Sequence, residues 1–252
     1  MADNYPRVFV PDRAFSSVST SLSRVSQVES NDGESPSLPD NLGNFDPLIR
    51  FYTSGRDANA LTWTVAHQSI VDRDVNAIGS LFYYLSAQTV AVQLRAAGST
   101  IPLETVSLAL PALSGRPSLR VDEARLTHST RSIHYSFAQP ARRRSVIGFV
   151  QPGRVQQLSR EIRRSLERKQ NRSRVVDPYS PPIEQGEYAR FRYIALDASP
   201  SDVSLIEAWA GLPLLLCETE RGDWRMGSFD VISIDRSGLR SDVEFIFTQM
   251  LV

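Results

Sequence analysis

The chain has 252 residues, 28 of them Lys or Arg and 28 Asp or Glu, so its formal charge is zero. That length is enough for one generous domain or two small ones without a disulfide or metal staple, and the single cysteine, Cys217, excludes a disulfide framework or a cysteine-based zinc site within one chain. No run approaches the ~18 apolar residues of a membrane-spanning helix, and the N-terminus lacks the basic-then-apolar order of a signal peptide, so neither a bilayer span nor secretion by that route is expected.

Residues 1–44 read as an extended arm. Serines are dense from Ser16 to Ser37, apolar residues are sparse, and Pro6, Pro11, Pro36 and Pro39 interrupt it. Such a segment buries too little apolar surface to offset its own ordering entropy, so its order is expected to depend on neighbours. Its acids outnumber its arginines, which makes it a poor phosphate-binding tail. From Phe45 the chain turns globular. Asp46-Pro47, followed by Leu48, Ile49, Phe51 and Tyr52, predicts a short helix with Asp46 as N-cap. Leu61–Gln68 suits a strand. Val75–Leu85 has apolar residues at 75, 78, 81, 82 and 85, which predicts a helix capped by Asp74. Gln88–Arg95, Thr105–Leu110 and Ser132–Gln139 alternate apolar with polar and predict strands with one wet face.

The basic residues are 27 arginines and one lysine, Lys169, and they are unevenly placed. Arg142, Arg143, Arg144, Arg154, Arg160, Arg163, Arg164, Arg168, Lys169, Arg172 and Arg174 fall in one stretch with only Glu161 and Glu167 as acids. That stretch carries +9 and the remainder −9, so the neutral total hides a candidate contact for a partner or for RNA. Val155, Leu158, Ile162 and Leu166 at near-helical spacing predict an amphipathic helix from Arg154. Arginine's planar fork suits phosphate or carboxylate, but the stretch has no aromatic platform between Phe149 and Tyr179, so any RNA contact is expected at the backbone. Beyond it, Tyr188–Asp197, Phe229–Ile234 and Val243–Phe247 predict strands, and Val203–Glu218 is a long apolar run broken by Gly211 and Pro213.

About eight to ten strands with few helices and no βαβ rhythm favour an antiparallel sandwich or barrel. Catalytic devices are weak. His67, His128 and His134 lack metal-ligand spacing, and Cys217 follows three leucines, as a buried structural cysteine does. Asp72, Asp74, Asp122 and Glu123 read as solvated loop or cap residues, and no glycine-rich phosphate loop occurs, so neither an enzyme nor a cofactor is expected.

The order of elements resembles the jelly-roll capsid proteins of small picornavirus-like RNA viruses, the dicistrovirus-like and iflavirus-like groups among them. Phe45–Tyr52 resembles their short helix, and Ile78–Leu85 leading into Val90–Arg95 their helix-to-strand passage. Ile133–Pro140 resembles the strand before a long loop; Tyr188–Tyr193 and Asp202–Leu205 through Gly211-Leu212-Pro213 resemble the last two strands. The resemblance implies an antiparallel eight-stranded jelly-roll β-sandwich over 45–217, with an extended N-terminal arm (1–44), a basic insert (142–174) at the surface and a C-terminal extension (218–252). It implies a structural coat protein of a non-enveloped virus, located in the virion and in host cytoplasm during assembly. Its expected partners are other capsid subunits, with a host receptor and non-specific genomic RNA as further candidates. The second reading is an RNA-binding nucleocapsid-like or regulatory protein that works through 142–174.

Overall fold

The computed structural model describes residues 5–20, 42–43, 45, 51–53, 61–84, 89–96, 98–109, 117–123, 129–141, 145–170, 188–218, 223–236 and 240–250. Among them the chain is mainly β, with antiparallel strand pairs throughout. The strands are β1 (Arg7–Pro11), β2 (Ser17–Thr20), β3 (Phe51–Tyr52), β4 (Leu61–Arg73), β5 (Ala77–Tyr84), β6 (Thr89–Arg95), β7 (Pro102–Ala109), β8 (Ser118–Glu123), β9 (Thr130–Gln139), β10 (Val146–Gln157), β11 (Ile162–Gln170), β12 (Tyr188–Ala198), β13 (Pro213–Cys217), β14 (Arg225–Asp235) and β15 (Ser241–Met250); the helix α1 is Pro200–Trp209. The chain divides into two compact units: Pro11–Arg154, and Met1–Val10 together with Val155–Val252.

The Pro11–Arg154 unit is a sandwich of two antiparallel sheets, one running β3-β10-β5-β8 and the other β2-β4-β9-β6-β7. Alternation builds the second sheet. Ile133, Tyr135 and Phe137 on β9, and Val90, Val92 and Leu94 on β6, all point inward and are buried. They meet Phe51, Ile78, Phe82, Ile147 and Val150 of the first sheet in one apolar core. Trp63 lies at its centre, stacked on Phe137 at 4.3 Å and tilted against Phe51 at 5.8 Å between centroids.

Where a helix is expected over Val75–Leu85 the structure has the strand β5, Ala77–Tyr84, and Leu85 lies outside the described residues. β5 lies between β10 and β8, and every residue from Ala77 to Phe82 is buried, so neither face is wet and the apolar positions lose their alternation. Asp74 is therefore not a helix cap; it pairs with Arg154. Of the short helix expected at 46–52, residues 46–50 lie outside the described ones, and Phe51–Tyr52 is strand β3.

Part of the expected arm is integral to the sheets. β1 pairs β13 and β2 pairs β4, and Val8, Phe9 and Phe15 are buried. The rest of the arm, 1–4 and 21–41, lies outside the described residues.

The other unit carries a sheet in the order β11-β12-β15-β14-β13-β1, with α1 packed on it. Phe191 and Tyr193 of β12, Phe229 of β14, and Phe245 and Phe247 of β15 share its core with Val203, Ile206 and Trp209 of α1. The segment expected as a C-terminal extension thus supplies two inner strands. The segment expected to be a last strand, Asp202 to Pro213, is instead most of α1, the turn after it, and at Pro213 the first residue of β13. Ser199 caps the helix, Pro200 opens it, and Asp202 reaches back to close a capping box. Gly211 ends it with φ +73°, a conformation that favours glycine, and donates its N–H to the Phe229 carbonyl at 2.8 Å. Trp209 Nε1 donates to Gln156 Oε1 at 2.6 Å.

The amphipathic helix expected from Arg154 is also overturned. The described part of the basic stretch is the end of β10, a turn at Leu158–Glu161, and β11. Leu158 is buried in the turn while Val155 and Ile162 are half-buried in strands, so a helix-like spacing arises from two strands and the bend between them.

Candidate anion-binding site

Of the eleven basic residues the structure describes six, and it spreads them over different positions. Arg142, Arg143, Arg144, Arg172 and Arg174 lie outside the described residues. Arg154 pairs with Asp74 in the sandwich unit, its Nη2 at 3.3 Å from Oδ2 and its Nε donating to the Asp74 carbonyl at 2.8 Å. Arg160 is half-buried in the β10–β11 turn, and Arg163 is exposed on β11 opposite Ile194. Arg168 and Lys169 occupy β11 positions opposite Arg190 and Ala189. Among those with described side chains, Arg164 enters a cluster with aromatic residues.

That cluster is assembled by sheet order. On β12 the inward residues are Phe191 and Tyr193. β11 pairs β12 with Arg164 opposite Tyr193, and a register shift between Arg164 and Leu166 follows, marking a bulge at Ser165. Arg164 thereby shares the face of Tyr193, while Arg163 takes the other face. From the other side of the sheet come Glu218, next after β13, and Arg225, which opens β14 opposite Leu216. Arg7 of β1 stands opposite Cys217, beside Glu218.

Tyr193 Oη donates to Glu218 Oε1 at 2.5 Å, and Arg225 Nη1 lies 3.0 Å from the same oxygen. Arg164 Nη1 is 3.9 Å from it, beyond hydrogen-bond length. The Arg164 and Arg225 guanidinium carbons stand 5.4 and 5.2 Å from the centroid of the Phe191 ring, and that of Arg7 stands 5.4 Å from the centroid of Trp224. Burial, together with the Glu218 hydrogen bond and charge, pushes the Tyr193 phenol pKa well above its usual value, so the hydroxyl keeps its proton and acts as a donor. Among the described residues two guanidiniums, those of Arg164 and Arg225, thus share one carboxylate over the Phe191 ring, while Arg7 lies over Trp224. Side-chain exposures of 41% for Arg164, 31% for Arg225 and 28% for Glu218 leave the cluster reachable from water. Such an arrangement can hold an anion.

The other candidates sit in structural roles. Cys217 is buried in β13. His67 is fully buried, edge-on to Tyr135 at 5.5 Å between centroids. Burial lowers its pKa to about 4, with the Phe15 and Val150 backbone groups opposing more weakly, so it is neutral at pH 7. His134 Nε2 lies 2.8 Å from Ser132 Oγ, and burial and the Arg95 charge lower its pKa. His128 lies outside the described residues. Asp72 pairs with Arg131 at 2.9 Å, and Asp122 pairs with Arg120. Among the described residues no three metal-ligand side chains gather, and no helix is long and apolar enough to cross a membrane.

Phe191, Tyr193, Glu218, Trp224, Arg225 and Arg7 were invisible as a site in the sequence. They come from four strands and their flanks, and nothing in their local spacing announces the meeting.

No family model matches the chain, and no curated protein matches it. Solved structures that resemble it include the family 32 carbohydrate-binding module of Clostridium perfringens NanJ in complex with galactose, at 12% identity and a TM-score of 0.40, covering 59% of this chain and 99% of that one. A second Clostridium perfringens family 32 module, in complex with GalNAc-β-1,3-galactose, has 8% identity and a TM-score of 0.41, covering 57% and 98%. A third, from a family 31 glycoside hydrolase of the same organism, has 10% identity and a TM-score of 0.40, covering 57% and 96%. These neighbours are carbohydrate-binding modules and not coat proteins, which corrects the capsid expectation and the virion location that came with it. The fold adds its own reason. In two of the segments that carried the resemblance, Ile78–Tyr84 is strand and Asp202–Trp209 is capped helix, in place of the helix and strand it required.

Proposed function

We propose that this chain is a non-catalytic binding module that holds an anionic group of its ligand between Arg164 and Arg225, over Phe191. The observation that carries the reading is the pairing of two guanidiniums with one carboxylate among the described residues: Arg164 and Arg225 both approach Glu218 over the Phe191 ring, and Arg164 stays 3.9 Å from it. Arg164, held by the Phe191 face and only at long range by Glu218, keeps its planar fork for an incoming carboxylate or phosphate. The placement of Cys217 and His67 in the interior supports a binding role over a catalytic one.

The sandwich unit fits an eight-stranded jelly roll as its frame. Its sheets β3-β10-β5-β8 and β4-β9-β6-β7, with β2 added at an edge, have the strand order of that fold, and from β3 to β10 only β6 and β7 follow one another within a sheet. On this reading the frame spans Phe51–Arg154, a narrower stretch than 45–217.

The test is a titration of the full chain with a single-stranded oligonucleotide and, separately, with polyglutamate, across a salt series. Binding of at least one polyanion should weaken as salt rises. Replacing both Arg164 and Arg225 by Ala should weaken it at least about tenfold, whereas Arg163→Ala should leave it unchanged. Glu218→Gln, which removes the resident negative charge and keeps a partner for Tyr193, should strengthen it. Equal binding by the double variant, or no binding of either polyanion at low salt, would sink the proposal.

A further inference from the structure

In the arginine cluster, the two partners of one hydrogen bond differ in how far they can move. Tyr193 is fixed. It is buried on β12, with its ring stacked on Phe245 at 5.5 Å and tilted against Phe191 at 6.3 Å between centroids. Its hydroxyl, which donates to Glu218 Oε1, is therefore held at one place. Glu218 is not held in the same way. β13 ends at Cys217, opposite Arg7 of β1, so Glu218 is the first residue beyond the strand. Its side chain is partly exposed, so rotation about its own bonds carries the carboxylate into water.

The carboxylate stands where a ligand anion would stand. Arg225 Nη1 is 3.0 Å and Arg164 Nη1 3.9 Å from the same Glu218 oxygen, and both guanidiniums lie over the Phe191 ring. An anion held by both would come close to Glu218, and two like charges at contact range repel. Among the described residues, Glu218 is the carboxylate that pairs with these two arginines. Of the other charges nearby, Asp223 is exposed and Arg7 lies over Trp224, while Glu220 and Arg221 fall outside the described residues.

We infer that Glu218 is a resident competitor for the anion site and that Tyr193 is the positioning residue that latches it there, so that a ligand anion enters as Glu218 swings out. The inference rests on the anion-binding reading above and adds what sets the affinity. Entry of the anion breaks the Tyr193–Glu218 hydrogen bond as well as the Arg225–Glu218 ion pair, and the cost of both is subtracted from the ligand's own contacts. Burial keeps the Tyr193 hydroxyl protonated and neutral, so removing it loosens the latch and leaves the charge of the site unchanged. A Tyr193 hydroxyl that served the ligand directly would give the opposite sign, because its loss would then weaken binding.

The experiment titrates the full chain at low salt with a single-stranded oligonucleotide and with polyglutamate, using wild type, Tyr193→Phe, Glu218→Asp, Glu218→Ala, and Tyr193→Phe combined with Glu218→Ala. Tyr193→Phe should bind about tenfold more tightly, the effect of losing one hydrogen bond to a charged group. Glu218→Asp keeps the charge but draws the carboxylate back from Tyr193, so it should also bind more tightly, and it carries the test if Tyr193→Phe lowers the melting temperature. Glu218→Ala should bind more tightly as well, and adding Tyr193→Phe to it should change nothing further, because no carboxylate is left to hold. A merely structural Tyr193 would give the same change in both backgrounds. The inference is overturned if Tyr193→Phe and Glu218→Asp bind no more tightly than wild type, or if Tyr193→Phe gives its gain with Glu218→Ala in place. Either result removes the latch alone when replacing both Arg164 and Arg225 by Ala still weakens binding. Absence of binding to both polyanions, by wild type and by Glu218→Ala alike, overturns the anion-binding reading and the latch with it.

Discussion

Replacing Asp202 with Ala should cost about 3 kcal/mol and loosen α1 before anything else. Asp202 is 3% exposed and accepts four hydrogen bonds: from the Ser159 N–H at 2.9 Å, Ser159 Oγ at 2.5 Å, the Ser199 N–H at 3.2 Å and Ser199 Oγ at 2.8 Å. The one from the Ser199 N–H closes the capping box, whose reciprocal bond runs from the Asp202 N–H to Ser199 Oγ, and the two from Ser159 tie the helix to the β10–β11 turn. A hydrogen bond to a charged group contributes about 1.5 kcal/mol at the low end of its range, and four would sum to about 6. Both hydroxyls can turn to water or to each other once the carboxylate is gone, so only the two backbone donors count in full, which leaves about 3 kcal/mol. Burial pushes the Asp202 pKa up, and the hydrogen bonds from Ser159 and Ser199 together outweigh it, so the pKa in the folded chain lies below its usual value. Stability from this group is therefore complete above the unfolded-state pKa, about 3.9, and is lost as pH falls through the depressed folded value. The assay is hydrogen exchange of the amides in 199–210 alongside urea denaturation at pH 7, with the gap between wild type and variant followed again below pH 4. Asp202→Asn should lose less, because its amide oxygen still accepts. An Ala variant within 0.5 kcal/mol of wild type, or one whose α1 amides stay protected, would refute the reasoning.

Two further outcomes follow from the cores. His67 takes up its proton near pH 4 when folded and near 6.5 when unfolded, so stability should be full above pH 6.5 and fall by about 3 kcal/mol as pH drops to 4; His67→Gln should remove that difference in parallel urea titrations, and an unchanged slope would contradict it. Gly227 lies where a Cβ would stand 2.3 Å from the Thr248 carbonyl and 2.6 Å from the Phe247 ring, so Gly227→Ala must part β14 from β15 and should cost about 1–3 kcal/mol, read as a lowered urea midpoint at unchanged slope.

Strands with one wet face were legible. Ile133, Tyr135 and Phe137, and Val90, Val92 and Leu94, alternate with residues that stay nearer water, and the alternation carried β9 and β6 directly into view. Strands with two dry faces were not. In β5, Ile78, Leu81 and Phe82 face protein on both sides, and their accidental three- and four-residue spacing imitates a helix. α1 was legible in its cap, Ser199-Pro200-Ser201-Asp202, but the assignment to a last strand overrode that local signal. Of the candidate site, only Arg164 was visible beforehand. Its companions meet it because β12 pairs with β15 and β14 with β13, long-range choices that no window of the sequence contains.

The pairing of β1 with β13 sets a timetable. A ribosome delivers Val8 and Phe9 about two hundred residues before the Leu215 and Leu216 backbone that receives them, and all of Pro11–Arg154 emerges in the interval. At roughly 5–20 residues per second that wait lasts tens of seconds, long enough for a continuous unit to close. The edge of the first strand that β13 will cover must meanwhile stay open. Synthesis therefore imposes an order in which the inserted unit is finished first and the enclosing one, with its arginine cluster, becomes competent only when the last strands leave the ribosome.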